Sequence, residues 1–373
     1  MSLPTADHRT TTDPRSATAP RPATAPRPAT APRPATAPRT TADPRPATDR
    51  RPAGDRPITL ERIESYLPER SVRIEELGER LGLHRAQLGV FRKFYGLDRL
   101  RYDPGLPLLD LLRPAARGAL AALPEGGRVD YLAYAHVTQA VAPAHVDVAR
   151  EIGDALGLAD AEAFGLSHQA CVSSLGAIEV LGELLRAEGG EGAYALMVTG
   201  EQAYSPVVQH VPNTSIMADA AASCLITLDG EGDVVRSFAT RTLGEYAQWL
   251  ELTPEQNTEF GERYGGRIAE VIHQAVEEAG LTLDDVELVI PHNVNKLAWR
   301  QTIKELGVAP EKVFLDNVPR YSHTFASDVF VNYTTLRDEG RLVDGAPYLL
   351  VSVGLGATFG AMVITHRAGG GTR

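Results

Sequence analysis

Three side chains able to move an acyl group stand out in this chain: Cys171, His292 and His323. Cys171 closes the run Ser167-His168-Gln169-Ala170-Cys171, and a helical pattern starts at once. Leu175, Ile178, Leu181 and Leu185 recur at helical spacing, and Gly189-Gly190 is a stop. A cysteine at a helix start meets unpaired N–H groups and the positive end of the helix dipole, which favour a thiolate. A thiolate is a nucleophile, so the sharper reading is an acyl carrier. The blander one is an inert core cysteine, a common place for a free thiol. His292 opens His292-Asn293-Val294-Asn295, directly after an apolar stretch, and His323 lies in the polar turn Tyr321–Asp328. Imidazoles are the usual proton carriers near neutral pH, although each of these alone also suits a structural place. The loop Gly354-Leu355-Gly356-Ala357-Thr358-Phe359-Gly360 can offer a backbone N–H to an oxyanion.

The elements that must position these groups alternate. Strand patterns are expected at Val129–Ala135, Ala163–Leu166, Ala193–Thr199, Ala218–Leu228, Val234–Thr240, Val286–Pro291, Val313–Leu315, Tyr348–Val353 and Ala361–Thr365. Helical patterns fall at Ile74–Leu83, Arg85–Tyr95, Leu106–Leu123 with Pro114 as a break, Pro143–Leu156, Leu252–Ala279, Lys296–Leu306 and Val329–Glu339. The class is therefore α/β. Each half ends on a small-residue turn and a last strand, ADAAASCLITL in the first and GLGATFGAMVIT in the second, which suggests an internal duplication. The three chemical stretches follow strands, and loops at strand C-termini form the ligand crevice of open α/β sheets. Asp328 reads as the N-cap of the helix after it, and Cys224 reads as core.

Composition excludes several classes. The 373 residues carry a formal net charge of −11, which argues against nucleic acid as the main partner. The 2 cysteines make neither a disulfide framework nor a metal-ligand cluster, so no metal is expected and the chain reads as cytoplasmic and reduced. No apolar run approaches the roughly 20 residues that span a bilayer, so no membrane partner is expected. Residues 1–56 differ from the rest: ten Arg, five Asp and an A-T-A-P-R-P repeat, with no aromatic residue. Such a segment buries too little surface to offset chain entropy and is expected to be disordered. The division expected is thus a tail at 1–56, a first half at 57–229 holding the cysteine and a second half at 230–373 holding both histidines.

Several motifs, in order, resemble the β-ketoacyl-acyl-carrier-protein synthase III family, condensing enzymes of the thiolase fold. The family's A-A-C-S-G and following helix resemble Gln169–Leu181; its F-G-D-G-A-G-A resembles Met217–Cys224; its H-Q-A-N resembles His292–Asn295; its G-N-T-S-A-A-S resembles Ser322–Asp328; its G-x-G-x-x-x-G resembles Gly354, Gly356 and Gly360. Tyr66–Glu69 (Y-L-P-E) and Phe91–Arg101 add to the likeness, which spans about Pro57 to Thr365. The resemblance implies a duplicated αβαβα layered fold and a homodimer. It implies acyl loading of Cys171 from acyl-CoA or a phosphopantetheinyl acyl-carrier protein, as substrate, with no bound cofactor. It implies an oxyanion hole from the Cys171 and Gly356 N–H groups, and His292 as a donor to the second substrate's carbonyl or as a base.

The departures from that pattern carry information. The family's third catalytic residue, Asn, is His323 here, and both glycines of the D-G-A-G-A loop are alanine, Ala220 and Ala222. Such changes suggest a specialised-metabolism member. The first expectation is carbon–carbon bond formation by decarboxylative condensation in polyketide- or fatty-acid-like biosynthesis. The alternative is an acyltransferase forming an ester or amide on a small-molecule hydroxyl or amine, and a third is a non-catalytic partner subunit. Lys296, Arg300 and Lys304, spaced four apart, offer a basic helix face for a carrier protein or coenzyme A, with Arg92, Arg99 and Arg101 as lesser candidates.

Overall fold

The computed structural model describes residues 56–248 and 251–369, so the expected disorder of the tail lies outside the described residues but for Arg56. Nine strands form one sheet. From one edge to the other they run Glu162–Leu166, Arg128–Ala135, Ala193–Glu201, Ala220–Leu228, Ile58–Tyr66, Asp233–Thr242, Thr358–Thr365, Pro347–Gly354 and Leu288–Pro291. Its middle seam is slight: Ile58–Tyr66 meets Asp233–Thr242 only at Thr59–Val234 and Leu60–Asp233. On either side of that seam the order repeats. Counted by chain position within each half, the strands are arranged third, second, fourth, fifth, first, if the lone bridge of Val313 to Val289 stands for the second half's third strand. The stretch Val313–Leu315 is thus a single bridge rather than a strand. This repetition supports the division into halves at 57–229 and 230–373, which we propose as its organisation.

Strand residues alternate between two faces, and each face finds a different layer. Leu350 and Met362 join Cys224, Ile226 and Ile290 in a central core, while Leu349, Val351, Ala361 and Val363 face an outer one. Two helices fill the centre, Ser173–Glu188 from the first half and Asp328–Asp338 from the second. Leu175, Ile178, Leu181 and Leu185 are the periodic residues read from the sequence, and all are buried, worth ~1.5–3 kcal/mol each relative to exposure. Outside the sheet, Leu108–Leu120 and Val148–Leu156 cover the first half, and Pro254–Glu278 with Lys296–Leu306 cover the second. The result is the layered αβαβα arrangement of the thiolase fold. A smaller cluster built from residues 72–102 caps the site end with Ile216, Met217 and Phe325.

Two local expectations are corrected. Pro114 does not break its helix, which runs continuously from Leu108 to Leu120. Proline removes one ladder bond there, but Leu111, Leu112, Ala115, Ala116 and Ala119 pack their whole stripe into the core and outweigh the loss. The helix expected from Pro143 begins only at Val148, where the Asp147 side chain accepts from the Arg150 N–H and sets the cap.

Candidate active site

Strand Glu162–Leu166 delivers the chain to the cysteine turn. There His168 and Ala170 hold φ of 75° and 48°, a left-handed backbone that non-glycine residues seldom adopt. A single 3₁₀ turn, Ala170–Val172, then runs into helix Ser173–Glu188, so Cys171 stands at a helix N-terminus, as its spacing predicts. The thiol is buried, with 3% of the residue exposed. The last strand pair of the second half holds this turn in place. Ser352 Oγ donates to the Cys171 carbonyl at 2.8 Å. Gly354 and Gly360 leave space only because they lack a Cβ: at 354 it would strike the Gln169 carbonyl oxygen and at 360 the Val172 side chain. Gly356 follows in the connecting turn, at φ 127°.

His323 comes from a loop fixed against the first half. Ala218 N–H donates to the His323 carbonyl at 2.8 Å, and Ser322 Oγ donates to Ile216 O at 2.5 Å. Its Nε2 lies 3.5 Å from Cys171 Sγ, and its Nδ1 lies 2.5 Å from Asp328 Oδ2. Asp328 is therefore not the N-cap expected of it. It is the first residue of helix Asp328–Asp338, and its carboxylate turns back into the site. It accepts from the Asn293 N–H at 2.6 Å, the Thr324 N–H at 2.7 Å and Thr324 Oγ1 at 2.6 Å, besides His323. The local reason is competition: a carboxylate offered two buried N–H groups, a hydroxyl and an imidazole outbids a cap.

His292 follows strand Leu288–Pro291. Its N–H donates to Val351 O at 2.8 Å, and Trp299 Nε1 donates to its carbonyl at 2.9 Å. The His292 and His323 rings are 5.9 Å apart. Nε2 of His292 is 3.1 Å from the Tyr264 hydroxyl, and the buried Nδ1 makes no well-formed hydrogen bond among the described residues, although the Val351 backbone lies near the imidazole. Asn293, where the resembled family has Gln, locks the loop from behind by exchanging side-chain hydrogen bonds with Asn332, whose Nδ2 also donates to Pro291 O at 2.7 Å.

The two imidazoles have opposite electrostatics. Burial, then the charge of His323, pulls His292 down to about 3, so it is neutral at ordinary pH. Burial acts on His323 too, but the Asp328 carboxylate and the Cys171 charge outweigh it and carry His323 up to about 10. Burial opposes the charge of Asp328 as well, yet the facing His323 and the donors around it hold that carboxyl below its usual range. The buried charges are thus paired and hydrogen-bonded, as buried charges must be to persist.

The remaining candidates lie further out. Arg300 and Lys304 are exposed on helix Lys296–Leu306, and among the described residues neither they nor Lys296 makes an ion pair. The Lys296 stem packs on Gly96. Arg92 is already spent on Glu75 and Asp98, Arg101 donates to Pro68 O and Glu69 O, and Arg99 reaches Ser71 at 3.5 Å. Cys224 is fully buried in its strand, and burial pushes its thiol up. Among the described residues no group of three or more His, Cys, Asp or Glu is placed to hold a metal. Sequence reasoning missed Tyr264 and misassigned Asp328. A carboxylate five residues after a histidine was a usable sign for the second; Tyr264, in the middle of a helix, had none.

Comparison with known proteins agrees with this fold. The family described as 3-oxoacyl-[acyl-carrier-protein] synthase III C terminal matches residues 276–366. A β-ketoacyl-[acyl-carrier-protein] synthase III of Symbiobacterium thermophilum is 41% identical over 91 residues, 24% of this chain and 27% of that protein. One from Rhizorhabdus wittichii is 27% identical over 227 residues, 57% of this chain and 70% of that protein. The chain thus spans about a quarter of the first relative and more than two thirds of the second. Among solved structures, ChlB3 [Aceyltransferase] superposes with a TM-score of 0.73 at 21% identity, over 83% of this chain and 98% of that one. The synthase III FabH of Pseudomonas aeruginosa superposes at 0.69 and 20% identity, over 84% and 99%.

Proposed function

We propose that this chain, a β-ketoacyl-acyl-carrier-protein synthase III-like acyltransferase of the thiolase fold, takes an acyl group from a thioester onto Cys171 and passes it to a hydroxyl or amine of a small molecule. The line Cys171 Sγ, His323, Asp328 carries this reading, at 3.5 and 2.5 Å. An imidazolium beside the sulfur pairs with the nucleophilic thiolate and has a proton ready for the departing thiol. Once neutral, it is an aspartate-backed base able to take a proton back, the logic of a nucleophile–His–Asp triad. An amide at 323, as in the resembled family, could donate a hydrogen bond but could not exchange a proton. The likeness to a structure described as an acyltransferase supports the same side.

Decarboxylative condensation is the second reading, favoured by two imidazoles whose ring centres lie 5.9 Å apart. Coenzyme A or a carrier protein is the donor in either case. Arg300 and Lys304, exposed and without an ion pair among the described residues, form the docking face for the acidic carrier. Cys171 and Gly356 N–H groups hold the oxyanion. Among the described residues the outer edge of strand Glu162–Leu166 pairs with no other strand, and it suits a second copy in a homodimer. No helix among the described residues is long and apolar enough to cross a membrane, and a free nucleophilic thiol suits a reducing cytoplasm.

Intact-mass measurement tests the reading. Acyl thioesters should add one acyl mass to the wild type and none to Cys171→Ala, and amines or alcohols should discharge it. Discharge by malonyl thioesters alone, with carbon dioxide released, selects condensation instead. Full activity of the pathway with Cys171→Ala in place would point to a non-catalytic subunit.

A further inference from the structure

Helix Pro254–Glu278 covers the outer face of the second-half strands through Ile268, Ile272, Ala275 and Val276. That packing has no use for a hydroxyl. Tyr264 nevertheless turns edge-on against Phe260 and Phe359, at 5.6 and 6.0 Å between ring centres, and sends its hydroxyl to Nε2 of His292 at 3.1 Å. Burial, then the nearby Cys171 charge, push the phenol's ionisation upward, so it is an intact O–H.

Counting protons fixes the direction of this hydrogen bond. His292 is neutral and carries one N–H. If Tyr264 donates, Nε2 is its acceptor and the only group short of a well-formed hydrogen bond is the Nδ1–H, with the Val351 backbone near the ring. If Nε2–H donates instead, the tyrosine proton and the Nδ1 lone pair are both left over. One buried orphan costs less than two.

We propose that Tyr264 is a positioning residue that fixes His292 as the Nδ1–H tautomer and keeps its Nε2 lone pair aimed at the place where the second substrate reacts. The inference rests on the acyl-transfer reading and assigns its second step. The phenol oxygen occupies the position of an acceptor O–H or N–H. An incoming acceptor takes over that hydrogen bond and gives its proton to Nε2 while its oxygen or nitrogen bonds to the acyl carbon. The carbon–sulfur bond breaks and Cys171 leaves as thiolate. The proton then passes to His323, replacing the one His323 gave to the donor's departing thiol.

Nitrogen-15 NMR of histidine-labelled protein, with Tyr264→Phe and Phe260→Leu alongside, reads this directly. Wild type should show His292 with Nδ1 protonated. Tyr264→Phe, which keeps the ring, should move the Nε2 signal or invert the tautomer; Phe260→Leu, which disturbs only the packing, should leave it. In stepwise intact-mass kinetics, Tyr264→Phe should load Cys171 at the wild-type rate and discharge it about tenfold more slowly, the worth of one hydrogen bond. An Nε2 signal indifferent to Tyr264→Phe, or moved equally by Phe260→Leu, overturns the proposal, as does equal slowing of loading and discharge. Should the wild type never load Cys171, the acyl-transfer reading fails while the NMR comparison still decides for or against Tyr264.

Discussion

His292 and His323 sit 5.9 Å apart, are both buried, and differ in nearly everything else. His323 has a carboxylate behind it and a thiol in front, and it keeps a proton up to about 10. His292 has a phenol in front and a nitrogen short of a well-formed hydrogen bond behind, and it refuses a proton down to about 3. Two identical rings side by side thus take opposite charge states. Burial and the charge of His323 hold His292 neutral, while Asp328 and the Cys171 charge hold His323 protonated.

Removing Asp328's charge is the most direct way to break this contrast. Asp328→Asn keeps the shape but lets His323 fall toward an ordinary imidazole, and loading of Cys171 should drop on the order of 10²- to 10⁴-fold. Stopped-flow loading measures it; an unchanged rate would detach Asp328 from the chemistry.

Gly354→Ala attacks the cysteine turn that His323 faces. A Cβ there meets the Gln169 backbone, so the cysteine turn must shift. Stability should fall by about 1–3 kcal/mol in urea unfolding, with acyl loading lost even in the folded fraction.

The contrast is sharpened by pH. His323 binds its proton more tightly when folded, so its contribution is whole below 6.5, the ordinary imidazole value, and is lost as pH rises through about 10. His292 binds its proton only in the unfolded chain between 6.5 and about 3, so stability falls as pH falls across that window. Each proton weighs about 1.4 kcal/mol per pH unit. His292→Gln should flatten the acid limb of a melting-temperature profile, and Asp328→Asn the alkaline limb. The same slope in all three proteins would remove the distinction.

The smallest effect lies away from both rings. Arg300→Glu with Lys304→Glu should raise the KM for a carrier-borne acyl group several-fold and weaken its salt dependence, with little change in kcat. An unaltered KM would move the carrier to another face.

Much of the fold is legible in the sequence. Cys171, His292, His323 and the glycine loop announce themselves because strand-to-loop transitions and small-residue turns leave local marks. The periodic leucines of Ser173–Glu188 marked the central helix for the same reason. What escaped was whatever depends on distant partners. Asp328 precedes a helix and looks like a cap; only the fold shows Asn293, Thr324 and His323 converging on it. Tyr264 is one aromatic among helical neighbours, brought to His292 by the crossing of an outer helix over a strand end. Pro114 misled in the other direction, since local geometry predicts a break that tertiary packing overrides.

The hydrogen bond from Ser352 to the Cys171 carbonyl joins residues 181 positions apart in the chain. During synthesis the cysteine turn is made long before the strand that holds it. Until that strand docks, the thiol has neither its seat nor its histidines, which come at 292 and 323. The emerging chain therefore carries a cysteine without its folded surroundings, and the imidazole and hydroxyl that flank it come only with the last fifth of the polypeptide. On the acyl-carrier reading proposed above, the unfinished chain is in this way kept from acylating itself.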